Sequence, residues 1–204
     1  MFITFEGLDF SGKTTQANLL VNCLKELDKP VIFIREPGGT IISEKIRAIL
    51  LDKQHARMNQ ITELFLFSAS RAQVVSEVIR PALQSGKIVI CDRFYDSTTA
   101  YQGHGRGLHL QGIETINKIA TFGTAPTLTV LVDVEINEVI RRQRAAGVAS
   151  DRMESIGKEF YQKVRDGYKR IADAEPKRFI VVNGMYTVEE IHSEIWTVVQ
   201  QRLT

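Results

Sequence analysis

An α/β fold, a doubly wound five-stranded parallel sheet with helices on both faces, is predicted by three observations. Five short apolar runs rich in β-branched or aromatic residues recur along the chain. The segments between them carry the three-to-four-residue apolar spacing of helices. Strands that alternate with helices pair in parallel through right-handed crossovers, which leaves a sheet covered on both sides.

The first run, Phe2 to Phe5, leads into a predicted helix with Ala17, Leu20, Val21, Leu24 and Leu27 on one face. Val31 to Ile34, Ile88 to Cys91, Leu128 to Val132 and Phe179 to Val182 supply the other four strands. The last helix sets Ile191, Ile195 and Val198 together, and Thr187 with Glu190 predicts a capping box at its start. At 204 residues, with no repeat and no Pro/Gly/Ser-rich linker, one domain over 1–204 is expected. Gly103 to Gly107 (GHGRG) and the polar stretch from Arg141 to Glu154 are expected to be mobile.

Composition excludes more than it assigns. Apolar residues make up 44% and charged residues 25%, which is ordinary for a soluble globular chain. A net charge of +2 with interleaved signs leaves no basic tract for nucleic acid or a membrane surface. Cys23 and Cys91 have no ligand or disulfide spacing, and His55, His104, His109 and His192 are scattered, so no protein-held metal cluster is expected. The start MFITFEG does not read as a signal peptide and no apolar stretch approaches about 18 residues, so a soluble cytoplasmic protein is expected.

Ligands of doubly wound sheets sit beyond the carboxyl ends of the strands. The most unusual short sequences lie there: GLDFSGKT after the first strand, REPGGT after the second and DRFYDSTTAYQ after the third. They are expected to converge on one cleft. Gly7, Leu8, Asp9, Phe10, Ser11, Gly12, Lys13 and Thr14 match the phosphate-loop pattern, with a strand before and a helix after. Such a loop surrounds polyphosphate oxygens with backbone N–H groups, while Lys13 adds a point charge and the Thr14 hydroxyl reaches magnesium.

Phosphate loops also serve GTP switches, but the companion motifs differ. The nearest match to a guanine-reading N-K-x-D, Asn117 to Ala120, lacks the carboxylate and lies in a helical pattern. After the third strand, Asp92 stands where a carboxylate holds magnesium through water, and Arg93 follows. A kinase whose acceptor is itself a phosphate needs extra cations and no strong general base, because the attacking oxygen is already ionised. Arg35, Arg71 and Arg93 all fall at predicted cleft edges.

FEGLDFSGKTTQ, REPGGT, FSASR, DRFYDSTTAYQGHGRG and DRMESIGKEFYQKVRDGYKRIA closely resemble the thymidylate kinase family, in order and spacing, over nearly the whole chain. The resemblance implies a P-loop nucleoside monophosphate kinase fold, usually a homodimer, that moves the γ-phosphoryl group of ATP to dTMP with magnesium. By position, Phe67 is implied to stack on thymine and Arg71 to donate to the base. Ser97, Thr98 and Gln102 are implied on the acceptor side, and Tyr101 beside the sugar C2′. Arg35 and Arg93 are implied to clamp the acceptor phosphate, with Asp9 near its sugar and phosphate. The stretch 141–154 corresponds to the lid. Relatives carry either arginine or glycine where this chain has Phe10, so Arg142, Arg144 and Arg152 become candidates for the transition-state cation, with Arg152 and then Arg144 preferred. Arg141 reads as an ATP contact or as part of a solvated helix face. Ile136 stands where many relatives have proline, with little functional effect expected.

Overall fold

The structure, a computed structural model, describes residues 1–147, 151–153 and 157–203. Five strands, β1 (Phe2–Glu6), β2 (Val31–Arg35), β3 (Ile88–Asp92), β4 (Leu128–Asp133) and β5 (Phe179–Asn183), form one parallel sheet in the order β2-β3-β1-β4-β5. Each strand is one residue longer than its apolar run, because the ladder continues into a polar residue at the carboxyl end. Those five added residues, Glu6, Arg35, Asp92, Asp133 and Asn183, mark the edge on which the site is built.

The helices are α1 (Lys13–Glu26), α2 (Ile41–Leu51), α3 (Gln60–Val74), α4 (Arg80–Gln84), α5 (Tyr95–Thr98), α6 (Leu110–Ala120), α7 (Ile136–Ala146), α8 (Lys158–Ala174) and α9 (Val188–Leu203). A π-helical turn over Val75–Ile79 joins α3 to α4, and a second, Thr99–Gly105, continues α5. The expected capping box is formed at α9: Thr187 Oγ1 accepts from Glu190 N at 3.2 Å, and Glu190 Oε2 accepts from Thr187 N at 2.9 Å.

Strand alternation divides the core between the two faces. Ile3 and Phe5 of β1 and Ile88 and Ile90 of β3 pack with Leu20 and Leu24 of α1 and Ile191 and Ile195 of α9, whereas Tyr168 of α8 reaches the opposite face at Glu6. Phe2, Val89 and Cys91, offset by one residue, pack with Val74, Ile79 and Phe94 on the other side. β1 and β3 are buried throughout, whereas the edge strands β2 and β5 are buried only in part.

The expectation of a mobile GHGRG loop is corrected here. Gly103 and Gly105 belong to the π-helical Thr99–Gly105 turn, which packs along α8. A Cβ on Gly103 would stand 2.6 Å from Leu110 Cδ2, and one on Gly105 would stand 2.6 Å from Phe160 Cε2. These glycines permit close packing of helices, which local composition cannot tell from loop flexibility. The expected lid begins as ordinary helix in α7, and its residues 148–150 and 154 lie outside the described residues.

Candidate active site

The donor half lies between β1 and α1. Gly7 turns the chain at φ 136°, where a Cβ would meet Val132 O at 2.6 Å, and Gly12 caps α1 at φ 93° with no side-chain acceptor. The first N–H groups of α1 therefore point into the loop with no side-chain cap, the arrangement that binds phosphate oxygens. Lys13 is buried, with Nζ donating to Leu8 O at 3.3 Å and lying 3.6 Å from Asp9 Oδ1. Burial and the neighbouring Arg93 depress its pKa, against the pull of Asp9 and Asp92. Phe10 sits at φ 61°, a left-handed conformation costly for an aromatic residue.

Thr14 Oγ1 donates to Asp92 Oδ2 at 2.5 Å, so the two expected magnesium residues meet at the loop. Asp92 Oδ1 is buried and has no hydrogen-bond donor among the described residues. An orphaned carboxylate oxygen beside a threonine hydroxyl suits a hard cation carried by a nucleotide. Among the described residues no group of three or more His, Cys, Asp or Glu could hold a metal by itself.

Arg142 lies over the outer side of the loop. Its guanidinium donates to Gly184 O at 2.8 Å, Ser11 O at 3.3 Å and Phe10 O at 3.4 Å, and pairs with Glu138 at 2.7 Å. With Gln16, Tyr186 and Val188 it borders a cavity of about 120 Å³.

A second pocket, where the acceptor is expected, is walled by α2, α3, α5 and the Thr99–Gly105 turn. It is lined by Asp9, Phe67, Arg71, Arg93, Ser97, Thr98, Tyr101 and Gln102, eight of the nine expected substrate residues. Phe67 is half-buried on α3, and Arg71 follows one turn later on the same face. Arg71 is held by Glu36 Oε2 and Thr98 Oγ1, both at 2.8 Å, and by Phe94 O at 3.2 Å. Gln102 donates to Glu63 at 2.9 Å.

Arg93 joins the two halves. It donates to Asp9 at 2.7 Å, Ser97 Oγ and Tyr168 OH at 3.1 Å and Tyr101 OH at 3.2 Å, and lies 5.1 Å from the Tyr101 ring centre. Its φ of 72° is a strained conformation, of the kind that costs about 1–3 kcal/mol and is kept where the surroundings demand it. Burial works against ionisation of Asp9, but Arg93 and Lys13 outweigh it and hold that carboxyl far below the usual range.

Four expectations need revision or placement. Arg35 does not line the pocket; it is exposed and donates to both oxygens of Glu44 at 3.1 and 3.2 Å. Arg47, one helical turn beyond Glu44 on α2, lines that side of the pocket, with its pKa lowered by burial and then by Arg35, and Arg93 acting in the same direction. Arg152 is buried and pairs with Glu63 at 2.6 Å while donating to Leu50 O at 2.6 Å, behind the acceptor pocket and committed to other groups. Arg144 is exposed near the end of α7, and Arg141 is exposed and paired with Glu138 at 2.7 Å.

Sequence reasoning missed Glu36, Arg47, Glu63, Leu51, Asp151 and Met153. Glu36 lies inside the quoted REPGGT and could have been found as a carboxylate between two motif residues. Glu63 had no local signal; it is buried and gathers Gln102 and Arg106 from one distant segment and Arg152 from another.

A parallel sheet with this order, a phosphate loop after its central strand and a second, cation-lined pocket beside that loop define a P-loop kinase of the nucleoside monophosphate type. The family model described as thymidylate kinase matches residues 5–195. The chain is 49% identical to the thymidylate kinase of Pelobacter propionicus, over 99% of its length and 95% of that protein. It is 48% identical to that of Chlorobium luteolum, over 99% and 98%. The crystal structure of thymidylate kinase from Ehrlichia chaffeensis superposes with a TM-score of 0.79 at 37% identity, covering 98% of each chain. The chain belongs to the thymidylate kinase family.

Proposed function

We propose that the protein, acting as one kinase domain over 1–204, transfers the γ-phosphoryl group of ATP to dTMP and yields dTDP and ADP. The observation that carries this reading is the Asp9–Arg93–Lys13 cluster, in which the acceptor clamp and the phosphate-loop lysine share one carboxylate. Two polyanions must approach each other here, and fixed cations in a dry site meet the charge that spreads over the transferring group. The acceptor oxygen arrives ionised, so no side chain has to remove a proton. Phe67 offers its face to a pyrimidine and Arg71 an N–H to a base carbonyl. Tyr101, buried and hydrogen-bonded to Arg93, stands as a wall at the sugar.

The cavity between Arg142, Tyr186 and the start of α1 suits the donor base. Thr14 and Asp92 would hold the magnesium that accompanies ATP, and the ion would neutralise charge on its phosphates. A homodimer is supported by the family and by exposed apolar residues on α3 and α6, Ile61, Phe65 and Ile119. No described helix is long and apolar enough to cross a membrane, and placement in the cytoplasm agrees with two unpaired cysteines. The reading as a GTP switch is not favoured: Asn117 is buried in α6 and turned toward Tyr95 O and Thr99 Oγ1. An ADP-release assay with ATP, magnesium and a panel of nucleoside monophosphates tests the proposal.

A further inference from the structure

Beneath Arg93 lies a carboxyl group that the reaction itself does not call for. Glu6 ends β1 and is wholly buried. Its Oε1 accepts the Phe94 N–H at 2.7 Å. Its Oε2 lies 2.6 Å from Ser97 Oγ and 2.9 Å from Tyr168 OH, and those two hydroxyl oxygens are 2.7 Å apart. Arg93 Nη1 donates to both hydroxyls at 3.1 Å.

Three oxygens thus form a closed triangle of hydrogen-bond length, and Arg93 sits on two of its corners. The hydroxyls bring two protons to three edges. A third proton, on Glu6, completes the ring: Oε2–H to Ser97, Ser97 to Tyr168, Tyr168 to Oε2. Each hydroxyl then donates once, accepts once within the triangle, and keeps a lone pair for Arg93. With Glu6 ionised one edge has no proton, and two buried oxygens face each other across it, which is unfavourable.

We propose that Glu6 is a positioning residue for the acceptor clamp: protonated when dTMP is bound, it orients the Ser97 and Tyr168 hydroxyls so that both accept from Arg93. This rests on Arg93 holding the acceptor phosphate. The charges around Glu6 agree. Burial and then Asp96 of α5 raise its pKa to about 7, against Arg93. Lys13 of α1 also acts on it from the donor side. Asp96 is itself paired with Arg178 at 2.7 Å. The phenols of Tyr95, Tyr101 and Tyr168 and the thiol of Cys91 are pushed up by burial and stay neutral. A phosphate dianion arriving at Arg93 adds negative charge, which favours the protonated form further, so dTMP binding draws a proton from solvent onto Glu6.

Glu6→Gln keeps the shape but replaces an oxygen by an NH2 that can only donate, so the ring cannot close. The expected result is a KM for dTMP raised about tenfold or more, with the KM for ATP changed less than about threefold. Tyr168→Phe, which keeps the aromatic side chain but removes one corner of the triangle, should raise the KM for dTMP severalfold, and its effect should not add to that of Glu6→Gln. Calorimetry of dTMP binding at about pH 8, in buffers of different ionisation enthalpy, should show wild type taking up more protons than Glu6→Gln; the proton carried by the phosphate itself cancels in that difference. Equal proton uptake, or a wild-type KM for dTMP in either variant, would overturn the proposal. Arg93→Ala serves as the reference. A raised KM there with none in Glu6→Gln or Tyr168→Phe sinks the role of Glu6 alone, while an unchanged KM in Arg93→Ala removes the clamp and the proposal together.

Discussion

Lys13 is the residue whose loss should be felt most. It is buried at the start of α1, its charge held between Asp9 and the loop. Lys13→Met should lower kcat by about a hundredfold or more, because a preorganised cation in a water-poor site is lost. Steady-state kinetics on a variant shown to be folded by circular dichroism checks this. Phe67→Ala should raise the KM for dTMP with much less effect on ATP, as expected for a stacking loss of about 1–3 kcal/mol. The lid arginines separate by environment. Arg142 touches the phosphate loop, Arg144 is exposed, and Arg152 is locked to Glu63 and Leu50 O. Arg152→Ala should therefore lower the thermal midpoint, since Glu63 loses one of its two arginine partners and keeps Arg106, an effect of about 1–3 kcal/mol. Single-turnover transfer in the three alanine variants shows which, if any, supplies the transition-state cation. Phe10 and Arg93 carry positive φ that no residue-type rule announces, since both are held there by the loop and by Asp9, Ser97 and Tyr168.

At the scale of elements, legibility follows how local the cause is. All five strands could be read, because each is a short apolar run rich in β-branched or aromatic residues, the central three buried on both faces and the two edge strands in part. The capping box at α9 could be read because its partners lie three residues apart. GHGRG was misread because glycines serve loops and close helix packing alike; only the Thr99–Gly105 turn lying on Phe160 and Leu110 distinguishes them. Gly105→Ala should accordingly destabilise by about 1–3 kcal/mol, seen as a lowered denaturation midpoint, with no specific change in nucleotide preference. An unchanged midpoint would show that α8 yields easily. The acceptor pocket was legible through motifs that follow strands. Glu63 and Arg47 were not, since nothing near them in sequence marks them; their roles exist only once α2, α3 and the Thr99–Gly105 turn are brought together.

Across the whole molecule the sheet order puts the phosphate loop at the centre, with the acceptor pocket on the β3 side and Arg142 on the β4 side. Asp9 ties these halves electrically. Its folded pKa lies below the ordinary 3.8, so the stability it contributes is present above that value and is lost as the pH falls through the folded value. Asp9→Asn should flatten that acid-side slope in a series of thermal melts. The measurement that bears most directly on function is the rate of ADP formation from ATP and magnesium with dTMP, AMP, CMP and GMP in turn. A kcat/KM for dTMP well above the other three is the expected result; an equal or higher value with any of them would contradict assignment of the Phe67 and Arg71 pocket to thymidylate.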